Sequence, residues 1–423
     1  MPIIDGLATS RSDLPEFMKY EIVIFGATSF VGQILCRNLA EQFGAGELDW
    51  AMAGRSREKL DKLRATLTEA HRDVPLIVAD AADEAALREL VSKARVVIST
   101  VGPYALHGEP LVKVCAESGT DYCDLTGEVH WIRRMIERYE KTAAATGARI
   151  VHCCGFDSIP SDLGVHFLQH KALERFGAPC ERVKMRVRRL RGGLSGGTVA
   201  SIMNVAREVV SDPALRREIA NPYSLCPPDH PDNTRQPNVG FAEHDEDFGA
   251  WVAPFVMAGI NTRVVHRSNA LAACAYGKDF RYDEAVLTGR GIGGYVTAAS
   301  VATGLGTFML GAGIAPTRWV LEKFMPASGE GPSPDAQESG SFDLRFVGKT
   351  AEGEELRVRV TGDRDPGYGS TAKMLIQAGL CLARDIAKED RPGGFWTPAT
   401  IFGDRLIERL RGNAGLTFEV LDG

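Results

Sequence analysis

A chain of 423 residues exceeds what one hydrophobic core supports, since cores stop growing at roughly 250–300 residues, so two domains are expected. Hydrophobic residues make up 44% and charged residues 25%, as in folded soluble proteins, and a net charge of -6 lacks the basic excess of nucleic-acid binders, so no nucleic-acid partner is expected. Nine cysteines without a CxxC pair argue against a disulfide framework and against a zinc site, no metal is expected, and a reduced, cytoplasmic location fits them.

The first twenty residues carry Asp5, Asp13 and Glu16 and no apolar core, unlike a secretory signal. From Tyr20 short apolar runs alternate with amphipathic ones. Ile22-Val23-Ile24-Phe25 is apolar at every position, as in a central parallel strand covered on both faces. A helix is predicted from Ser29 to Gln42, a strand over Leu48–Ala53, a helix over Arg57–Ala70, a strand over Pro75–Ala79 and a helix over Asp83–Ser92. Strands at Arg95–Thr100, Asp121–Asp124 and Arg149–Cys153 enclose helices at Pro110–Ser118 and His130–Thr146. This rhythm predicts an α/β fold: a Rossmann-type doubly wound parallel sheet over 19–155.

The rhythm then changes. Arg182–Leu190 alternates Val183, Met185 and Val187 with Arg182, Lys184, Arg186 and Arg188, which predicts a half-buried strand of a more open sheet. Thr262–His266, Leu344–Val347 and Leu356–Val360 also read as strands, while Cys226–Asn238 and Gly329–Gly340 read as loops. An inserted α+β second domain on a mixed sheet is expected over 156–369, for substrate and dimerisation. A helix over Thr371–Lys388, capped by Ser370 or Thr371, opens a C-terminal part, 370–423, that returns to the first domain.

The turn after the first strand reads Gly26-Ala27-Thr28-Ser29-Phe30-Val31-Gly32. Gly26 permits the tight turn and Gly32 lets the helix approach the strand, so the amides of Thr28, Ser29, Phe30 and Val31 face a pyrophosphate at a helix N-terminus. About twenty residues on, where NAD-specific proteins place a carboxylate for the ribose, stand Arg55 and Ser56. A guanidinium pairs with a 2′-phosphate, so the cofactor is expected to be NADP(H). Asp80, after the third strand, lies near the adenine in this reading, and Ser99-Thr100-Val101-Gly102-Pro103, at the topological switch point, carries the nicotinamide ribose.

Gly102-Pro103-Tyr104, Cys123-Asp124-Leu125-Thr126-Gly127-Glu128 and Gly155-Phe156-Asp157-Ser158-Ile159-Pro160-Ser161-Asp162, with Gly26-Ala27-Thr28, resemble the saccharopine-dehydrogenase-like oxidoreductases. Gly192-Gly193-Leu194-Ser195-Gly196-Gly197-Thr198, Asn261-Thr262-Arg263, Arg267-Ser268-Asn269-Ala270-Leu271 and Gly362-Asp363 with Asp365-Pro366-Gly367-Tyr368 are similar to the trans-acting enoyl reductases of phthiocerol-type lipid synthesis, a likeness from about residue 20 to the end. Ser29 departs from the glycine usual there and implies a slightly altered pyrophosphate approach. The resemblance implies NADPH-dependent reduction of an enoyl double bond on a polyketide held by a synthase without its own reductase. The residues alone show a hydride-transfer cofactor and a substrate domain. Two other readings therefore stand: a saccharopine-reductase-type amino-acid oxidoreductase, whose polyanionic substrate demands clustered arginines, and a non-catalytic NADP-binding sensor.

Enoyl reduction needs a proton donor and a hydrogen-bond donor for the enolate. Tyr104 and His107 in the switch-point loop and Asp124 at the end of the fifth strand are the catalytic candidates; Asp124 and Glu128 also read as groups that orient the cofactor amide or anchor the loop, and Asp157 and Ser158 as helix caps. The basic face of Arg182–Leu190, with Arg189 and Arg191 at its end, reads either as a solvated face or as a docking patch for an acidic acyl carrier domain. Gly291–Thr317 holds seven glycines and no charge between Arg290 and Arg318. It reads as a bilayer span, as a buried close-packed helix, or as a lipid-channel wall or peripheral membrane contact. It and the open sheet are also the expected homodimer surfaces.

Overall fold

In the computed structural model, which describes residues 18–192, 201, 203–205, 207–208, 212–231, 234–313, 331 and 333–421, the expected alternation builds a parallel sheet. Strands β1 (Tyr20–Phe25), β2 (Trp50–Gly54), β3 (Leu76–Val78), β4 (Ala94–Ser99), β5 (Asp121–Asp124) and β6 (Arg149–Val151) lie in the order β6-β5-β4-β1-β2-β3. Helices α1 (Phe30–Gln42), α2 (Arg57–Ala65), α3 (Glu84–Val91), α4 (Tyr104–His107), α5 (Glu109–Ser118) and α6 (Val129–Thr146) connect them. Ile22 and Ile24 bury in one core and Val23 and Phe25 in another, on the opposite face, which is why the run carries no polar residue.

The chain then crosses through α7 (Ile159–Phe176) into a second, mixed sheet. Its elements are β7 (Arg182–Arg191), α8 (Pro213–Ala220), β8 (Glu243–Asp245), β9 (Ala250–Pro254), α9 (Ala258–Leu271), β10 (Arg281–Gly289), α10 (Gly291–Gly313), α11 (Pro334–Ser339), β11 (Ser341–Lys349) and β12 (Glu355–Gly362). Among the described residues only β7 and β10 run parallel there. Val183, Met185, Val187, Leu344, Phe346 and Val358 form the inner face against Leu163 and Leu168 of α7.

Several expectations change. Thr262–His266 is not a strand but the middle of α9; its β-branched Thr262, Val264 and Val265 mimic a strand over a window too short to reveal the helical period. The outward residues of β7 are largely neither solvated nor free to dock. Arg182 pairs with Asp283, Lys184 with Asp245 at 3.1 Å and with Asp247, and the buried Arg186 with Asp245 at 2.7 Å and Asp283 at 2.8 Å. Arg188, Arg189 and Arg191 remain exposed and without a hydrogen bond or ion pair among the described residues. Helix α10 is not buried: only Gly294, Ala298, Ala302 and Ala312 face inward, while Ile292 is 84% and Leu310 70% exposed. Residues 314–317 of that stretch lie outside the described residues.

The C-terminal part serves both sheets rather than one. Asp365, not Ser370 or Thr371, caps the helical segment by accepting the Tyr368 N–H at 2.9 Å, and π-helical turns flank α12 (Thr371–Leu380) on both sides. Strand β13 (Gly394–Trp396) adds a seventh parallel strand beside β6. Helices α13 (Pro398–Ile401) and α14 (Asp404–Asn413) follow, and β14 (Leu416–Leu421) then pairs with β12 of the second sheet. The buried Arg149 holds this return: its guanidinium donates to Asp121 and to the carbonyls of Leu382 and Ile386.

Candidate active site at the carboxyl edge of the parallel sheet

In a parallel sheet every strand delivers its carboxyl end to one edge, so the loops after β1, β2, β4, β5 and β6 converge there. After β1, Gly26 has φ +84°, and a β-carbon on it would lie 2.7 Å from Val101 Cγ2. A β-carbon on Gly32 would lie 2.2 Å from the Gly26 carbonyl oxygen. Both positions therefore admit glycine alone. Ser29 has an ordinary extended backbone, and its hydroxyl caps α1 by accepting the Gly32 N–H at 3.0 Å, 2.9 Å from Thr100 Oγ1. The departure from glycine thus gives the helix a cap. The amides of Thr28, Phe30 and Val31 make no hydrogen bond among the described residues and stay available to an anion. The Phe30 ring packs edge-on against Tyr368 at 5.1 Å, so its backbone rather than its side chain faces that anion site.

After β2, Arg55 is exposed without a partner among the described residues, whereas Arg57 pairs with Asp61 at 2.9 Å and Ser56 caps α2. An unengaged guanidinium beside a helix N-terminus suits a phosphate. Asp80 is exposed and accepts the Ala82 N–H at 2.9 Å.

After β4 the structure separates the candidates. Ser99 and Thr100 are buried; Thr100 Oγ1 donates to the Gly26 carbonyl at 2.9 Å, locking the first loop onto the switch point. Val101 and Pro103 are half-buried, and Gly102 is exposed. Tyr104 does not offer a proton to the crevice. It is buried, its hydroxyl donates to the Ser99 carbonyl at 3.0 Å, and burial followed by the Asp124 charge holds it well above the usual phenol range. Asp124 is likewise occupied, accepting from Tyr122 Oη at 3.0 Å, the Thr126 N–H at 3.1 Å and the Cys153 N–H at 3.3 Å, and lying 2.7 Å from His152 Nδ1. These two shape the site rather than react in it. His107 ends α4, exposed and without a partner among the described residues. Glu128 is the anchor expected: it accepts the N–H groups of Tyr104 and Ala105, each at 2.9 Å, and the Ser201 hydroxyl at 3.1 Å. Gly192 abuts Asp365, and Gly193–Thr198 lies outside the described residues.

Asp157, expected only as a cap, is the unusual group. It sits six residues past β6 with Gly127 and Gly155 beside it: β-carbons there would lie 3.7 Å from its Oδ1 and 3.0 Å from its Oδ2. Its carboxyl accepts from no side chain among the described residues, and burial, with the Asp124 charge, pushes it up to about 7. It caps nothing, and neither does Ser158, whose hydroxyl donates to Asn261 Oδ1 at 3.1 Å. Asn261 in turn donates to Ser161 at 3.1 Å and Glu284 at 2.9 Å, a buried relay tying the Asp157 loop to α9 and β10. A largely buried carboxyl pushed up to about 7 at the carboxyl edge of the sheet is what a proton donor requires.

Comparison with known proteins agrees with this architecture. Residues 22–151 match the saccharopine dehydrogenase NADP binding domain. The trans-acting enoyl reductase of Mycobacterium tuberculosis is 40% identical over 410 residues, 94% of this chain and 97% of that protein. That of Mycobacterium ulcerans is 39% identical, over 93% of this chain and 96% of that protein. This chain belongs to the trans-acting enoyl reductase family. Among solved structures, saccharopine dehydrogenase from Saccharomyces cerevisiae aligns with a TM-score of 0.52 and 13% identity, over 95% of this chain and 100% of that one. The NAD complex of homospermidine synthase from Legionella pneumophila aligns at 0.52 with 11% identity, over 96% and 92%. Both show the shared fold.

The reductase is an oxidoreductase that takes NADP(H). The glycine cradle, the unbonded amides of the first loop and the unpaired Arg55 fit that cofactor. Sequence reasoning passed over Asp157 because an Asp-Ser pair before a helix is the ordinary signature of a cap. The available signal was its position in Gly155-Phe156-Asp157, at a strand end facing the crevice.

Proposed function

We propose that the reductase saturates the double bond of an enoyl thioester presented on the carrier of a partner synthase, with Asp157 as the proton donor. Held by the Gly26–Gly32 loop and Arg55, NADPH would supply the hydride that the β-carbon receives. The Asp157 carboxyl, pushed up to about 7 and so carrying its proton below that pH, gives it to the α-carbon of the resulting enolate. Exposed His107, at the rim of the switch-point loop, is the candidate hydrogen-bond donor to the thioester oxygen, in place of Tyr104. The observation that carries the reading is the placement of the Asp157 carboxyl, beside Gly127 and Gly155 and without a side-chain partner among the described residues, at the edge where the glycine cradle would lay the nicotinamide. In the test, the purified chain and NADPH are given an enoyl thioester on an acyl carrier domain, and mass spectrometry follows the acyl group. Gain of two hydrogens with equimolar NADPH consumption is expected; NADPH consumed only with an imine substrate would move the reaction to the amino-acid class.

Three further points belong to the reading. The unpaired Arg188, Arg189 and Arg191 are the docking contacts for the acidic carrier, since Lys184 and Arg186 are neutralised within the sheet. A cytoplasmic location fits nine free thiols. The uncharged α10 is covered by a second copy of the chain as a homodimer. Gly293, Thr297, Ser300 and Gly304 leave room for a close neighbour. The hydroxyls of Thr297 and Ser300 already donate to the carbonyls of Gly293 and Val296, so covering them loses no hydrogen bond. Light scattering at micromolar concentration should give twice the 45.8 kDa chain mass, and Val296→Glu with Leu310→Glu should halve it. A 45.8 kDa species that instead binds lipid vesicles would make α10 a membrane contact.

A further inference from the structure

Helix α7 carries a second cluster of reactive groups, about its middle, two turns or more past Ser158. His166 and His170 stand one helical turn apart on the same face, with ring centroids 4.0 Å apart. Asp404, the first residue of α14, faces both: its Oδ1 lies 3.3 Å from His166 Nε2 and its Oδ2 3.3 Å from His170 Nδ1. One ligand atom from each of the three residues lies within 4.8 Å of the others. His166 Nε2 is buried and makes no hydrogen bond of acceptable geometry, an otherwise costly state for an imidazole nitrogen. Gly403, at φ +51°, completes the bowl; a β-carbon there would press to 3.4 Å from His166 Nε2. The His170 and Asp404 side chains are 46% and 59% exposed, so the bowl opens to solvent on one side.

We propose that His166, His170 and Asp404 bind one borderline divalent cation of the zinc class and that this ion fastens α7 to α14. Ligands at about 2.0–2.2 Å around a tetrahedral ion lie about 3.3–3.6 Å from one another, which matches the 3.3 Å between His166 Nε2 and Asp404 Oδ1. Two imidazoles and one carboxylate suit Zn2+, Co2+ or Ni2+ and disfavour the all-oxygen preference of Mg2+ and Ca2+. Three protein ligands leave the open side of the bowl to water. The ion would join the inner helix of the second sheet to the C-terminal helix that leads into β14, elements far apart in sequence. Its role is therefore structural, and independent of the enoyl reaction.

The test uses the full chain without an affinity tag, stripped of metal with a chelator and titrated with Zn2+ by calorimetry and with Co2+ by visible absorption. One site per chain is expected, with Co2+ bands of a four- or five-coordinate nitrogen–oxygen set and a rise in the thermal midpoint on adding Zn2+. His170→Gln and Asp404→Asn should each weaken Zn2+ at least about tenfold, the size of effect seen when only outer-shell partners of a metal site are lost. The double variant should lose the thermal shift. Both side chains are about half exposed, so these variants should fold, which unchanged NADPH binding would verify. A wild-type chain that takes up no Zn2+ at one equivalent overturns the proposal. So does a double variant that binds as tightly as wild type, which would assign the metal to other groups such as the half-buried thiols of Cys226 and Cys274.

Discussion

The two sheets each contain seven strands, yet one concentrates chemistry and the other neutralises charge. In the parallel sheet all carboxyl ends share an edge, and both faces are apolar, so polar groups that must meet a ligand gather at that edge: the Gly26–Gly32 cradle, Arg55, the switch-point loop and Asp157. In the mixed sheet most neighbours run antiparallel, so strand ends point both ways and no common edge forms. Its polar groups lie on one face instead and pair across strands, as Arg186 does with Asp245 and Asp283. A charged side chain at the parallel edge is thus poised for an outside partner, while one in the middle of the mixed face already has its partner. Variants at the first should change function with little change in stability, and variants at the second the reverse.

The largest functional effect is expected from Asp157→Asn, which should lower kcat by about 100- to 10,000-fold with NADPH affinity retained. The pH profile sharpens the test. A donor must be protonated, so wild-type turnover should fall as pH rises through about 7, and the variant's residual rate should lose that dependence. Stability should fall over the same rise in pH. Between the ordinary carboxyl range and about 7 the folded protein holds a proton that the unfolded chain has released, so Asp157 makes the native state less stable as pH rises through that window. Asp157→Asn should therefore melt higher than wild type at pH 8 while being nearly inactive. A variant equally unstable and inactive at every pH would reduce Asp157 to a packing residue.

On the other sheet, Arg186→Ala leaves Asp245 and Asp283 facing each other with one cation removed, and should cost about 3–5 kcal/mol in denaturant unfolding. The folded fraction should keep wild-type kcat. A loss of turnover without loss of stability would show that the mixed sheet takes part in chemistry and break the contrast.

Arg55→Ala returns to the parallel edge with a smaller effect. One charge-assisted contact of about 1.5–3 kcal/mol predicts NADPH binding roughly 10- to 100-fold weaker and NADH binding nearly unchanged. Equal weakening of both in fluorescence titrations would remove the 2′-phosphate role. The smallest effect is expected from Arg188→Glu with Arg191→Glu. About tenfold or less should be lost in kcat/KM for a carrier-bound enoyl substrate at low salt, with no loss on a short soluble thioester. Added salt should shrink the difference. Indifference of both substrates would leave the end of β7 as an ordinary solvated strand.

Much of this architecture is written in local pattern. Continuous apolar strands between amphipathic helices required a parallel sheet, since only a strand covered on both faces can omit polar residues, and the alternation of β7 announced a sheet with one open face. Gly26, Gly32 and the absence of a carboxylate near Arg55 pointed to a dinucleotide carrying an extra phosphate, because those demands act within one turn of chain. What local pattern could not decide is what each polar group meets. The partners of Arg182, Lys184 and Arg186 are Asp245, Asp247 and Asp283, on strands and loops brought alongside only by the sheet order β7-β10-β9-β8. The same holds for the occupied hydroxyl of Tyr104, the fourfold-bonded Asp124 and the solitary Asp157, which look alike as sequence and differ in burial and neighbours. It holds also for Asp404, which meets His166 and His170 only after the C-terminal helices fold back. Backbone propensity and periodicity are short-range and survive in sequence; charge pairing, desolvation and pKa depend on distances between remote segments, and only the tertiary structure sets those.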